Sequence, residues 1–298
     1  MSDEAHIPVL LEEALGFLDI ERPGLYLDCT FGLGGHSLEI LKRNPRAEVV
    51  GFDIDESALL EAESRLRPFA DRIRLFHSDF RYIPDLKIDL SALKGVLLDL
   101  GMSSFQLDNP QRGFSFQKEG PLDMRMDLRN KITAERIIDK YSEPKLAELF
   151  RELGELKQAT RLARRIATLR KAAPITTTTA LCRIVEEVCA WRPQKGKIHP
   201  AAKVFQALRI EVNQELAGLP GFLERLAAAA PPGTRFVAIS FHSLEDRAVK
   251  RTFLSLAAQD NGGPSFRILT RKPVMASESE LLRNSRARSA KLRAGERT

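Results

Sequence analysis

The sequence predicts an α/β protein: a parallel, doubly wound sheet interrupted by a long helical insertion. Three observations carry that expectation. Over roughly the first hundred residues, strand-like and helix-like segments alternate, the order that builds a parallel sheet covered by helices. After a Gly/Pro/Asp-rich loop at about 109–127, the apolar spacing is helical from 134 to about 190, within an insertion placed at 111–212. After Pro231-Pro232-Gly233 an apolar strand at 235–241 returns the chain to the sheet.

Each element has its own signal. Leu10, Ala14 and Leu18 recur at helical spacing. Residues 24–30 read as the first strand, 37–43 as a short helix and 47–53 as the second strand. A helix at 56–66 places Leu59, Ala62 and Leu66 on one side. Segments 72–77 and 95–100 complete four strands, the last with a fully buried composition. The insertion reads as helices at 134–141, 144–153, 157–171, 179–190 and 200–217, with Pro200 in the first turn of the last. Closing strands are expected at 266–274 and 289–296. The sheet domain thus comprises 1–110 and 213–298.

Composition narrows the function classes. The chain has 298 residues, with 43% apolar and 29% charged side chains, a globular balance. It has no apolar run of about 18 residues, and the apolar run at 8–11 is too short for a signal-peptide core. Cys29, Cys182 and Cys189 form no Cys-x-x-Cys pair, so neither a disulfide framework nor a metal site is expected. A reducing cytoplasm fits. The net charge of +6 is concentrated: 264–298 holds nine basic and three acidic residues, and 151–171 holds seven and two. Such clustering favours a polyanionic partner.

The first strand ends in Asp28-Cys-Thr-Phe-Gly-Leu-Gly-Gly-His-Ser37. A strand, a glycine-rich turn and a helix form a nucleotide-cofactor arrangement. Asp53, ending the second strand, can accept hydrogen bonds from ribose hydroxyls. A dinucleotide needs a third glycine, but Ser37 occupies that position. S-adenosyl-L-methionine has no pyrophosphate, and Asp28, the turn and Asp53 suit it better. After the third strand, Phe80 can pack on an adenine ring and Asp79 can meet its amine.

Asp99-Leu-Gly-Met-Ser-Ser-Phe-Gln-Leu-Asp108, Arg112-Gly-Phe-Ser-Phe116 and Pro121-Leu-Asp-Met-Arg-Met-Asp127 resemble blocks of the MraW/RsmH family. The resemblance continues through His199-Pro200, 205–213, 240–247 and 285–293. Cys29 stands where that family usually has glycine, and Ser285 where it has proline. The resemblance implies a class I (Rossmann-like) methyltransferase sheet domain carrying an inserted all-helical domain that helps recognise RNA. It implies a cytoplasmic enzyme methylating N4 of a cytidine in the decoding region of small-subunit (16S) ribosomal RNA. It also implies cofactor contacts from Gly34, Gly35, His36, Asp53, Phe80, Asp99 and Gln106. Free RNA and the assembled subunit, and monomer and homodimer, remain open.

Asp99 and His242 are the candidate catalytic residues. Asp99 ends the fourth strand, where it can accept hydrogen bonds from the reacting amine. His242 can bind phosphate or relay a proton, while Ser243 would cap the helix that follows. Phe114 and Phe116 can stack on an extruded base or anchor their loop. Arg125 is either an RNA contact or held in ion pairs. The RNA-backbone candidates are Arg161, Arg164, Arg165, Arg286, Arg288, Lys291 and Arg293. The rival readings are a non-catalytic ribosome-assembly factor, a nicotinamide-dependent oxidoreductase, and an amino-methyltransferase acting on another nucleic acid.

Overall fold

The computed structural model describes residues 7–86, 88–194, 196–258 and 266–298. The chain forms two compact units, Met1–Gly101 with Leu216–Thr298, and Met102–Glu215. The inserted unit therefore spans 102–215, against the 111–212 expected from sequence.

The first unit opens with α1 (Leu11–Leu18), β1 (Gly24–Asp28), α2 (Gly35–Arg43), β2 (Ala47–Asp53), α3 (Glu56–Leu66), β3 (Ile73–His77) and β4 (Leu93–Asp99). The second unit supplies α4 (Ser104–Asp108), α5 (Ala134–Lys140), α6 (Glu143–Glu152), α7 (Ala159–Leu169), α8 (Thr178–Cys189) and α9 (Pro200–Asn213). The chain then returns through α10 (Leu219–Ala229), β5 (Arg235–Ser240), α11 (Ser243–Ala257), β6 (Phe266–Ile268), α12 (Glu278–Arg283) and β7 (Lys291–Arg297).

The strand order is β3-β2-β1-β4-β5-β7-β6. Strands β1 to β5 are parallel, and β7 runs antiparallel to β5 and β6. This is the expected Rossmann-like methyltransferase sheet. Alternation along each strand divides the core between its two faces. Leu97, Val237 and Ile239 pack with Leu15 and Leu18 of α1 and Ile40 and Leu41 of α2. Val96, Leu98 and Phe236 point the other way, to Phe222 and Leu226 of α10 and Phe253 of α11. Full burial of each such side chain stabilises the sheet by about 1.5–3 kcal/mol.

Several element ends differ from the sequence reading. Leu10 is a left-handed cap (φ 52°) ahead of α1 rather than its first residue. Helix α10 falls where the sequence reading places no element. In the fold Gly218 is the cap (φ 78°) and Pro220 sits in the first turn, where its missing N–H costs nothing. The strand expected at 266–274 stops at Ile268. Pro273 cannot donate to a ladder, and pairing resumes only as a bridge between Val274 and Leu292.

In the second unit α6 packs on α7 and α9, and α8 packs on the same two helices. Their buried faces carry Leu146, Phe150, Leu162, Ile166, Leu181, Val185, Val204 and Leu208. Helix α9 ends at Asn213 rather than 217, because Gln214 takes a left-handed conformation (φ 51°). Asn213 then clamps the loop at 124–126: its amide donates to Met124 O at 2.8 Å, and its Oδ1 accepts Met126 N–H at 2.7 Å.

Candidate active site

Strands β1, β2 and β4 are neighbours, and each ends in an aspartate: Asp28, Asp53 and Asp99. Strand order turns back between β1 and β4, with β2 and β3 on one side and β5 on the other. In open α/β sheets the crevice at that switch point is the ligand site.

Asp28 is buried. Its Oδ2 accepts the Ser37 hydroxyl at 2.6 Å, and its Oδ1 accepts Thr30 N–H at 3.3 Å. Burial pushes its pKa up to about 6, with the Ser37 hydrogen bond opposing that rise. Ser37, which breaks the dinucleotide pattern, is therefore the residue that holds Asp28. Sequence spacing alone did not reveal that role.

Asp53 organises the turn. Its Oδ2 accepts Gly32 N–H at 2.6 Å and its Oδ1 accepts Asp55 N–H at 2.8 Å. Burial again pushes its pKa up to about 6, against those two hydrogen bonds. The glycines of the turn also serve internal packing. Gly34 caps α2 at φ 73°, and a Cβ there would stand 2.5 Å from the Phe31 ring. A Cβ on Gly35 would stand 2.6 Å from the ring of Pro8.

Asp99 is tied to β1 through Thr30, whose hydroxyl oxygen accepts Asp99 N–H at 2.6 Å. Its side chain keeps 25% of its surface, yet its Oδ1 is enclosed without a hydrogen-bond partner. Its Oδ2 lies 3.8 Å from Nδ1 of the buried His36. His36 Nε2 faces Val9 O at 3.1 Å, so that nitrogen carries a hydrogen. Burial, then the charges of Asp28 and Glu245, hold the Asp99 carboxyl well above the usual range. Among the described residues no lysine or arginine pairs with Asp28, Asp53 or Asp99.

The other expected site residues fall as follows. Phe80 follows β3 and packs edge-on against Phe222, with ring centroids 4.9 Å apart. The Asp79 carboxylate, expected to meet the adenine amine, is engaged by the Arg81 guanidinium, with Nε 2.9 Å from both oxygens. His242, not Ser243, is the N-cap of α11. Its Nδ1 accepts Glu245 N–H at 3.3 Å, while Glu245 Oε2 accepts His242 N–H at 3.3 Å. Had Ser243 been the cap, Asp246 would have closed the box. Instead Asp246 binds Arg293 at 2.6 Å.

Gln106 belongs to the second unit. It is buried, and its Oε1 accepts Ser103 N–H at 3.1 Å in the capping box of α4. Phe114 is buried, which removes it as an exposed stacking surface, while Phe116 stacks on His199 with centroids 5.0 Å apart. Arg125 is paired with Asp123 at 2.7 Å. Arg293 is buried against Asp246, so it is not exposed to a phosphate backbone. Arg286 and Arg288 are exposed. Cys29 is a buried free thiol, and Ser285 opens a single 3-10 turn that Asn284 caps by accepting Arg286 N–H at 3.3 Å.

Among the described residues no helix is long and apolar enough to cross a membrane. The profile of the MraW methylase family matches residues 3–298. A Carboxydothermus hydrogenoformans protein named ribosomal RNA small subunit methyltransferase H is 46% identical, over 98% of this chain and 98% of its own. Proteins of the same name from Desulfotalea psychrophila and Halothermothrix orenii are 46% and 42% identical, covering 99% and 98% of each chain. With a match from end to end and relatives at this identity, the chain belongs to the MraW methylase family of methyltransferases.

Proposed function

We propose that this chain transfers a methyl group from S-adenosyl-L-methionine to N4 of a cytidine in the decoding region of 16S ribosomal RNA. The observation that carries the methyl-donor reading is the row of three aspartates on adjacent strand ends, with no lysine or arginine paired to them among the described residues. A pyrophosphate would be repelled there, and a ligand bearing a sulfonium and an ammonium is attracted. The small-subunit rRNA substrate follows the names of the relatives. The base and its N4 atom follow the family expectation. A cytoplasmic enzyme fits that substrate.

When bound, S-adenosyl-L-methionine supplies an electrophilic methyl group. The chain does the rest. Asp53 keeps lone pairs on both oxygens for the ribose hydroxyls. Gly34 and Gly35 shape the turn that starts α2, and His36 lies in that helix behind Asp99. Phe80 offers a ring beside the end of β3. Asp99 keeps a quarter of its side-chain surface open, which makes its carboxylate an acceptor for the N4 hydrogens, and its raised proton affinity suits it to take the proton lost after transfer. His242 we read as a helix cap that orients Glu245, and Gln106 as a support of the α4 turn.

We assign RNA-backbone contacts to the exposed side of α7. Arg161, Arg164 and Arg165 lie opposite the buried Leu162, Ala163 and Ile166. Two of these arginines already pair at the surface, Arg164 with Glu143 at 3.4 Å and Arg165 with Glu187 at 3.0 Å. Such exposed pairs are weak and yield readily to a phosphate.

Asp99→Asn is the test of the catalytic assignment. The variant keeps the shape and one acceptor oxygen but cannot take up the proton. Methyl transfer at saturating cofactor is expected to fall about 100-fold or more, the usual contribution of a positioned base. Full turnover would remove Asp99 from the chemistry.

A further inference from the structure

Asp28 and Asp99 form one electrostatic unit. Thr30 ties them together, donating its N–H to Asp28 Oδ1 and accepting the N–H of Asp99 on its hydroxyl oxygen. Two carboxylates and one imidazole face the pair. Asp53 faces Asp28 from β2, Glu245 faces Asp99 from α11, and His36 faces Asp99 from α2. His242, beside Glu245 at 3.1 Å, turns its Nδ1 to the α11 cap. The Cys29 thiol next in the chain is pushed up by burial and stays neutral. His36 has its Nε2 hydrogen on Val9 O, which in the neutral ring leaves Nδ1 as an acceptor facing Asp99 Oδ2. That arrangement suits an Asp99 that carries a proton.

Two neighbouring carboxylates, Asp28 buried and Asp99 partly so, with no lysine or arginine paired to either among the described residues, cannot both ionise cheaply. On the methyl-donor reading of this site, we propose that the Asp28–Asp99 pair holds a proton in the cofactor-free protein. The pair releases that proton to solvent when the sulfonium cofactor enters, and releases less of it for the thioether product, which shares the ammonium but lacks the sulfonium charge. The pair thereby discriminates substrate from product by charge.

The sign follows from linkage. Both carboxyls have raised proton affinity before binding, and a nearby cation lowers it. Between the lowered and the raised values, binding is accompanied by proton loss, so affinity strengthens as pH rises through that window. The step balances: the carboxyl O–H breaks, the proton goes to buffer, and the carboxylate remains against the cation. The two carboxyls titrate as a coupled pair, so the release belongs to both.

The experiment is calorimetric titration of the full chain with S-adenosyl-L-methionine and, separately, S-adenosyl-L-homocysteine. Each is run in two buffers of different ionisation enthalpy, from about pH 5 to about pH 8. The expected result is net release of up to about one proton with the sulfonium and a smaller release with the thioether. The preference for the sulfonium should then grow by up to about tenfold per pH unit within the window. In Asp99→Asn the release should fall away. Binding of both ligands with equal proton counts and parallel pH profiles in the unaltered chain would overturn the proposal while leaving the methyl-donor reading intact. Binding of neither would overturn both.

Discussion

Asp53→Ala is expected to weaken S-adenosyl-L-methionine binding at least about 100-fold, a loss of about 3 kcal/mol. Two hydroxyl donors on an ionised carboxylate contribute about 1.5–3 kcal/mol each. The same substitution leaves the N–H groups of Gly32 and Asp55 without their acceptor, which loosens the turn itself. Asp53→Asn keeps one oxygen for one of those groups and should lie between the two. Calorimetric titration measures all three proteins. Equal affinity of Asp53→Ala and the unaltered chain would remove the ribose from Asp53 and weaken the assignment of the whole turn.

The largest effect on stability is expected in the inserted unit, at Gly113 and Gly120. A Cβ on Gly113 would lie 2.1 Å from Pro121 O, and the residue sits at φ 72°. A Cβ on Gly120 would lie 1.9 Å from Pro110 O. Both obstacles are backbone, so neither can swing aside. The loop is also fastened elsewhere: Arg112 Nη2 donates to Arg125 O and Met126 O at 2.9 Å, and Gly120 N–H donates to Thr178 Oγ1 at 3.0 Å. Gly113→Ala should cost about 1–2 kcal/mol for the left-handed backbone. Overpacking adds about 1–3 kcal/mol more. Gly16→Ala is the control. It lies in α1 with nothing within 4 Å of the added carbon, so it should raise stability by up to about 1 kcal/mol. Denaturant midpoints of the three proteins check this. A Gly113→Ala midpoint at or above that of the unaltered chain would show that the loop gives way.

Much of the site could be read from the chain. Asp28, Asp53 and Asp99 each close a strand whose composition is unambiguous, and the glycine-rich turn follows the first of them. What stayed hidden depends on contacts between distant residues. Ser37 looked like a defect in a glycine pattern, and only the fold shows its hydroxyl on Asp28. His242 rather than Ser243 is the cap, boxed by Glu245, while Asp246 is taken by Arg293, 47 residues away. The same pairing buried one of the basic residues that composition alone assigned to RNA. Helix α10 starts on residues that disfavour a helix interior but suit its start, Gly218 as the cap and Pro220 in the first turn.

The central claim is the reaction itself. Small ribosomal subunits from a strain lacking this methylation should be incubated with the protein and labelled S-adenosyl-L-methionine, and the RNA nucleosides then resolved by mass. The account predicts N4-methylcytidine as the labelled product. Label on another atom or base, or no transfer by a protein that binds the cofactor, would contradict it.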